Sequence, residues 1–450
     1  GSTTRYETSY GVKIKTEIEN PAIVNLRDVR LKLMFEEMKK SDATRLQLAS
    51  SYAGIANYWK FFDGERKQLL KYDVYGQKKA AEEKFTTWAK GKPDYEGLFE
   101  KFDAAYKAWW PYTKHRTYLN EGIMGSPLAA YSTSLMALER ALTKKPSASE
   151  EEIKKISESL NRSRATFLAN ENKPSDQNIL AATCQMFYTD IDASQHPTEF
   201  YNKLKTKYGD LNSETTYQKF AADVFTNTMI FDDARWNTFN NNPDSSTLQN
   251  DAAYQYAMAF VKNYNTNYTP KNVEFINQNN ELSRIYMKGI LEMNKGKALY
   301  PDANFTMRLS YGNVKSYRPR DAVFYDYVCT MKGVLEKYVP GDYEFDLPKE
   351  LLEAAQKKDF GPYKDARTND LVVAFITTND ITGGNSGSPV LNAKGELIGL
   401  AFDGNYEALS HKIAFDKDLN RTICVDIRYI LWCIDKLGGA KNIINELTLK

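Results

Sequence analysis

The amino-acid sequence predicts an α+β protein in which a long helical region precedes an antiparallel β-barrel with a terminal helix. From about residue 20 to residue 296, apolar residues recur at three- and four-residue steps, which is typical of packed helices. Over roughly the last 150 residues, short β-branched runs between glycine-containing turns replace that pattern. The 450 residues also exceed the usual size of one domain.

The helical region begins with two amphipathic segments. Ala22, Leu26 and Val29 lie on one face of the first segment, and Ser41 has the position of an N-cap for the second. Ser149 with Glu152 has the pattern of a capping box. Further helices are predicted over residues 78–88, 97–109, 128–142 and 216–230, with a polar loop over 240–246.

After Gly296 the sequence predicts mainly strands. Asn392 to Gly395 has the composition of a hairpin turn, and Gly438-Gly439 ends a predicted closing helix over 429–437. Strands are predicted over residues 305–309, 314–317, 371–377, 388–391, 396–402 and 422–427, and the opening segment 3–10 is predicted as a strand end.

Composition excludes several classes of function. The net charge of +2, without blocks of like charge, gives no electrostatic signal for nucleic acid or an anionic membrane. No apolar run reaches the roughly 18–20 residues of a membrane span, and no signal peptide is recognised at Gly1. The spacings of the four cysteines match no zinc motif and no redox motif. The cysteines are either buried thiols or include one bridge, with Cys424 and Cys433 the first pair to test.

The chemically informative stretch is residues 382–390, which contain Gly384-Asn385-Ser386-Gly387 before Pro389. A serine nucleophile needs backbone N–H groups directed at the developing oxyanion, and the N–H groups of Gly384 and Ser386 can supply them. The predicted strand after Ser386 disfavours the α/β-hydrolase elbow, which needs a helix there, and favours the chymotrypsin-like arrangement. The competing interpretation is a polar hairpin loop, in which glycine, asparagine and serine are common.

The sequence lacks a convincing base for that nucleophile. His115 has basic neighbours in the helical region, His196 precedes a proline in a predicted loop, and His411 follows the serine. In a chymotrypsin-like order the histidine and aspartate precede the serine. We therefore expect all three histidines to be structural or solvated, and the base to lie on a missing first barrel.

Four stretches of the sequence resemble the bacterial dipeptidyl-peptidase 7 and 11 family, and the chain is closer to the dipeptidyl-peptidase 7 type. These stretches are residues 383–390, 399–405, 2–6 and 300–308. The resemblance implies a chymotrypsin-like double barrel with an inserted helical domain that caps the cleft. Residues 1–15 then end the first part of the peptidase domain, 16–296 form the cap, and 297–450 form the second barrel.

The resemblance implies a serine exopeptidase that removes dipeptides from peptides with a free N-terminus. It further implies a homodimer in the periplasm or at the cell surface of a Gram-negative bacterium, without a metal or organic cofactor. The family's catalytic histidine and aspartate precede the segment where this chain begins. The chain alone is therefore expected to be an inactive fragment.

Individual residues take their roles from the same resemblance. Ser386 corresponds to the nucleophile, and Asp403 to the residue that binds the substrate's α-amino group. Gly404 lies at the position that sets the first specificity pocket, where relatives selective for acidic side chains carry arginine, so hydrophobic or broad preference is expected. Asn57 corresponds to an asparagine that holds the N-terminal end of the peptide, although packing within the helices explains it equally well.

Two other functions remain open at this point. One is a non-catalytic peptide-binding module, which the abundant aromatic residues favour. The other is a chymotrypsin-like endopeptidase with an unrelated helical insert.

Overall fold

The computed structural model describes residues 1–146, 148–342 and 344–450, and the chain forms two compact units. The helical unit is Thr8–Lys297. The β unit joins Gly1–Glu7 to Ala298–Lys450. A short segment at the start of the chain thus completes the unit that contains Ser386.

Helices of very different lengths make up the helical unit. They are α1 Ser9–Ile14, α2 Asn20–Met38, α3 Asp42–Lys71, α4 Val74–Ala89, α5 Leu98–Thr117, α6 Pro127–Ser134, α7 Met136–Thr143, α8 Glu150–Asn170, α9 Lys173–Asp190, α10 Thr198–Tyr208, α11 Glu214–Asn227, α12 Asp233–Asn241, α13 Ser245–Gln249, α14 Ala252–Asn267 and α15 Thr269–Met293. Among the described residues, no helix is both long and apolar enough to cross a bilayer.

Aromatic side chains dominate the interior of the helical unit. Trp236 and Phe260 are fully buried in its largest cluster. A second cluster joins α4, α5 and α15, where the rings of Phe85 and Tyr286 meet edge to face at 5.0 Å. Such ring pairs add to the stabilisation that burial of their apolar surface already supplies.

The two predicted helix starts contain the expected caps. Ser41 Oγ accepts the Thr44 N–H at 3.1 Å, and Ser149 Oγ accepts the Glu152 N–H at 3.2 Å. The Glu152 carboxylate accepts from Lys144 Nζ at 2.8 Å instead of returning to Ser149. The serine half of the capping box is therefore confirmed.

Residues 128–142, predicted as one helix, form α6 and α7 with a break at Leu135. The Ser132 hydroxyl donates to the Leu128 carbonyl at 2.8 Å, and the Ser134 hydroxyl to the Tyr131 carbonyl at 2.6 Å. Serine hydroxyls that bond to nearby carbonyls compete with helix continuation, which explains the break. The predicted loop over 240–246 is shorter, because α12 and α13 include both of its ends.

The β unit contains a hairpin, a five-stranded sheet and short helices. Its elements are β1 Tyr317–Arg320, β2 Val323–Tyr325, β3 Val328–Thr330, α16 Met331–Lys337, α17 Lys349–Gln356, β4 Val372–Thr377, β5 Pro389–Leu391, β6 Leu397–Gly404, β7 Thr422–Asp426, α18 Ile427–Trp432 and α19 Lys441–Glu446. β1 pairs with β2, and the sheet has the antiparallel order β3-β4-β7-β6-β5.

The α+β class is confirmed, whereas the sheet is open within the described residues. β3 and β5 are its two edges, and each has only three residues. Among the described residues, β3 and β5 do not pair with each other, so these strands do not close into a barrel. The predicted closing helix is α18 followed by a π-helical turn over Cys433–Leu437.

Two predicted strands near the ends of the helical unit are wrong. Residues 305–309 form no strand, although Asn304 makes an isolated bridge with Ser2. The opening strand ends before Ser9, because Thr8 caps the Gly11 N–H at 3.4 Å and α1 begins there.

Candidate active site

Ser386 lies in a tight loop between β4 and β5, which we call the Ser386 loop (residues 382–387). Asn385 closes the loop twice: its Oδ1 accepts the Thr382 N–H at 3.0 Å, and its own N–H donates to the Thr382 carbonyl at 3.1 Å. Gly384 and Gly387 have φ angles of +98° and +83°, which favour glycine over any residue with a side chain. Both glycines are therefore needed for the conformation of the loop.

The end of the loop is docked on β6. The Gly387 N–H donates to the Ala401 carbonyl at 2.8 Å, and the Ser386 Oγ donates to the Phe402 carbonyl at 3.4 Å. The pairing of β6 with β7 shifts register between Ala401 and Asp403, as in a β-bulge. Bulges re-aim side chains beside functional sites, and here the bulge lies next to Ser386.

Two backbone N–H groups of the Ser386 loop are available to a ligand. Within the described part of the chain, the N–H groups of Gly384 and Ser386 donate to no other residue. Gly384 and Ser386 are both exposed. Exposed N–H donors without partners, next to an exposed hydroxyl, are the groups that oxyanion stabilisation needs.

None of the three histidines supplies Ser386 with a hydrogen-bond partner among the described residues. His411 lies in the same unit, with Nδ1 against the Ala408 carbonyl, and burial lowers its pKa. In the helical unit, burial lowers the pKa of His115 to about 4 and also lowers that of His196. The expectation that the base lies outside this chain stays a prediction.

Asp403 and Gly404 end strand β6 directly after the carbonyl that contacts Ser386. Asp403 pairs across the sheet with Ile423, and Gly404 with Thr422. The Asp403 carboxylate is exposed, and its Oδ1 accepts the Gly404 N–H at 2.7 Å. The structure thus brings both predicted residues to the strand against which the Ser386 loop packs.

A buried polar network lies beneath the end of β6, and the sequence analysis missed it. Glu407 Oε2 accepts from Tyr317 at 2.8 Å and from Asn405 Nδ2 at 3.0 Å, while Asn405 Oδ1 accepts the Arg421 N–H at 2.8 Å. Its members are far apart in sequence and have no regular spacing, so no local pattern could have indicated them. The network fixes the backbone on which Asp403 and Gly404 lie.

Arg5 is a second contributor that the sequence analysis left without a role. Its guanidinium pairs with Asp380 at 2.6 Å and lies 5.6 and 5.2 Å from the ring centres of Tyr300 and Phe415. The pair is partly buried, and Asp380 lies two residues before the Ser386 loop. Arg5 therefore ties the start of the chain to the entry of that loop.

The remaining predicted residues lie elsewhere. Asn57 is exposed on α3 of the helical unit, and its role stays a prediction. The four cysteines are free, so Cys424 and Cys433 are not bridged. No group of three or more candidate metal ligands occurs within residues 1–146, 148–342 and 344–450.

Known proteins align with this chain over its whole length. The chain is 37% identical to dipeptidyl-peptidase 7 of Capnocytophaga gingivalis and 36% identical to an Asp/Glu-specific dipeptidyl-peptidase of Flavobacterium psychrophilum. Both alignments cover 100% of this chain and 62% of the relative, so the chain spans less than two thirds of their length.

Solved structures and a family profile agree with these relatives. Porphyromonas endodontalis DPP11 in complex with the dipeptide Arg-Glu is similar, with a TM-score of 0.85 and 26% identity. That match covers 99% of this chain and 63% of the DPP11 chain. The profile described as Peptidase S46 matches residues 1–449. The chain therefore belongs to the peptidase S46 family.

Proposed function

We propose that this chain forms the nucleophile-bearing part of a serine dipeptidyl-peptidase that releases dipeptides from free peptide N-termini. One observation carries the proposal: the exposed Ser386 hydroxyl, with unpaired N–H groups at Gly384 and Ser386, is docked on the strand that ends in Asp403 and Gly404. Membership of the peptidase S46 family and the names of the relatives support it.

In this proposal the Ser386 Oγ attacks the carbonyl carbon of the second substrate residue. A base outside this chain takes the hydroxyl proton, and the N–H groups of Gly384 and Ser386 stabilise the oxyanion. The oxyanion then collapses, the C–N bond breaks, and the protonated amine leaves. Water hydrolyses the acyl-enzyme to free the dipeptide and regenerate the Ser386 hydroxyl.

Asp403 is proposed to set the length of the product. Its carboxylate can form a charge-assisted hydrogen bond with the substrate ammonium. An extended dipeptide spans about 7 Å, and Asp403 directly follows the residue whose carbonyl contacts Ser386 Oγ. An amine held beside Asp403 therefore favours reaction at the second residue.

The proposed preference at that second residue is hydrophobic or broad. Gly404 adds no charge to the end of β6, and a pocket without a cation gives an acidic side chain no partner. The relatives include both dipeptidyl-peptidase 7 and Asp/Glu-specific enzymes, so their names do not decide this point. The proposal therefore depends on Gly404.

The wider assembly is proposed from the family resemblance. The antiparallel sheet is taken to be part of a chymotrypsin-like barrel, with the helical unit and Asn57 as a cap over the substrate's N-terminal end. A homodimer in the periplasm or at the cell surface completes the proposal. Light scattering of the purified full-length protein and cell fractionation test these two properties.

The test compares Ser386→Ala with Ser388→Ala in the full-length protein. Because a nucleophile has no substitute, Ser386→Ala is expected to lower kcat/KM for dipeptidyl reporter substrates by at least about a thousandfold. Ser388→Ala, a serine just beyond the Ser386 loop, is the matched control and is expected to retain activity. Full activity of Ser386→Ala contradicts the proposal. Cleavage of N-terminally blocked proteins favours an endopeptidase, and binding without cleavage favours a peptide-binding module.

A further inference from the structure

Gly404 has a spatial neighbour that restricts which residue can occupy its position. A Cβ atom at position 404 would lie 3.2 Å from the Cβ of Ala408, closer than ordinary van der Waals contact. The φ angle of Gly404 lies outside the left-handed region, so its backbone conformation does not require glycine. The lack of space beside Ala408 is what favours glycine here.

Burial and backbone hydrogen bonds hold Ala408 in place, so it cannot move easily to make room for a side chain at position 404. It is 6% exposed and lies in the 3-10 helical turn Tyr406–Ser410. Its N–H donates to the Asn405 carbonyl at 2.9 Å, and its carbonyl accepts the His411 N–H at 2.9 Å. The buried carboxylate of Glu407, bonded to Tyr317, anchors the same turn.

The backbone of position 404 is equally constrained. Gly404 pairs with Thr422 across the sheet, and the following Asn405 N–H donates to the Arg421 carbonyl at 3.0 Å. A side chain at 404 would therefore have to shift either the strand or the buried turn by a few tenths of an ångström. Overpacking of this kind is costly where neither neighbour relaxes.

The guanidinium of the adjacent Arg421 is not available to bind a substrate carboxylate. Arg421 carries its carbonyl 3.9 Å from the site of a Cβ at 404, but its guanidinium faces elsewhere. It donates to the carbonyls of Lys315 and Ser316 at 3.0 and 3.1 Å, and to that of Asn420 at 2.8 Å. A substrate carboxylate would have to break these bonds to reach it.

We propose that Ala408 is a specificity-determining residue that acts together with Gly404. The Ala408 methyl group excludes a side chain from position 404 and so keeps a cation out of the pocket for the second substrate residue. The converse also follows: an arginine at 404, whose guanidinium can bind a carboxylate in a bidentate manner, is accommodated better beside glycine than beside alanine at 408. This inference rests on the proposed function, and its structural half can be tested independently.

The structural half is tested by a double-mutant cycle in thermal unfolding of the full-length protein. Gly404→Ala is expected to lower Tm by about 2–4 °C, because it places one methyl group against Ala408. Adding Ala408→Gly is expected to recover most of that loss, beyond the effect of Ala408→Gly alone. Ala408→Ser is the matched control, because it keeps a Cβ at 408 and recovers nothing. Additive Tm changes overturn the proposed exclusion.

The functional half is tested with Gly404→Arg in the full-length protein. Reporters with leucine or glutamate as the second residue are compared by kcat/KM. Alone, Gly404→Arg is expected to lose leucine cleavage without gaining glutamate cleavage. With Ala408→Gly added, glutamate cleavage is expected to rise by at least about tenfold over Gly404→Arg alone.

The outcomes separate the two levels of the proposal. Equal gain of glutamate cleavage with and without Ala408→Gly overturns the role of Ala408 but leaves the proposed peptidase intact. A wild-type protein that cleaves neither reporter overturns the proposed function and the specificity role, while the unfolding cycle still reports the contact. If Gly404→Arg fails to fold and the double variant folds, the exclusion is supported directly.

Discussion

Backbone groups, more than charged side chains, define the site at the scale of single residues. Gly384 and Gly387 supply positive φ angles, and the N–H groups of Gly384 and Ser386 remain unpaired among the described residues. Because these groups are fixed by the loop, they need no reorganisation in the proposed reaction when negative charge develops on the oxyanion. Asp403 is the exposed carboxylate nearest along the chain to the Phe402 carbonyl that Ser386 contacts.

Asp403 is expected to recognise the substrate's free amine. Asp403→Asn should lower kcat/KM for free-amine dipeptidyl reporters by about 30-fold or more, because it removes one partner of a charge pair. It should leave the negligible cleavage of N-acetylated reporters unchanged. Asp321→Asn, an exposed carboxylate in the β1–β2 turn, serves as the control. Equal cleavage of free and acetylated reporters by the wild-type protein would refute this role.

At the scale of elements, β6 is the strand that organises the site. It accepts the Ser386 loop at Ala401 and Phe402, pairs with β7, and ends in Asp403 and Gly404. Beyond the end of β7, Arg428 binds Asp426 at 2.8 Å and Asp365 at 2.6 Å. This ion-pair network therefore supports the strand that pairs with β6.

The Asp365–Arg428 pair predicts a pH-dependent stability. Burial raises the pKa of Asp365, but the hydrogen bonds from Arg428 and from the Thr368 N–H outweigh it and hold that pKa well below its usual range. The stabilisation is thus complete above the unfolded pKa of about 3.9 and is lost as the pH falls through the folded pKa.

Urea unfolding of Asp365→Asn at several pH values measures this contribution. At pH 7 the variant should lose about 1.5–3 kcal/mol in the free energy of unfolding, and the difference from wild type should shrink below about pH 4. Asp359→Asn is the control, since Asp359 binds Lys436 on the surface and such pairs contribute about 0–1 kcal/mol. A difference that stays constant down to pH 2 would exclude this assignment.

Elements with local signals were predictable from the sequence. The β5–β6 hairpin was predicted because Asn392 to Gly395 has the composition of a hairpin turn between two strands. In the structure Gly395 has a φ angle of +77°, which favours glycine. Helices α16 and α17 were missed, since each has at most eight residues and its apolar pattern covers only two turns. The Glu407 network could not be predicted from the sequence, because only the folded chain brings Tyr317 next to Glu407.

At the scale of the whole molecule, the chain combines a helical unit with a β unit. The opening residues of the chain belong to the β unit and contact it in the manner of a short strand. Ser2 bridges Asn304, and Thr3 hydrogen-bonds to Asp302 at 2.6 Å. The family was predicted from motifs at both ends of the sequence, and the α+β class from the change from helical periodicity to short strands after residue 296. The open sheet was not, because closure depends on whether the edge strands β3 and β5 pair with each other, which the sequence of no single strand indicates.

Covalent labelling tests the central claim, that Ser386 is the nucleophile, most directly. The full-length protein is treated with a fluorophosphonate, which reacts with activated serines, and the modified residue is located by peptide mass mapping. We predict a single adduct on Ser386, its absence in Ser386→Ala, and loss of dipeptide release in proportion to labelling. An adduct on another serine, or full activity with Ser386 labelled, would contradict the account.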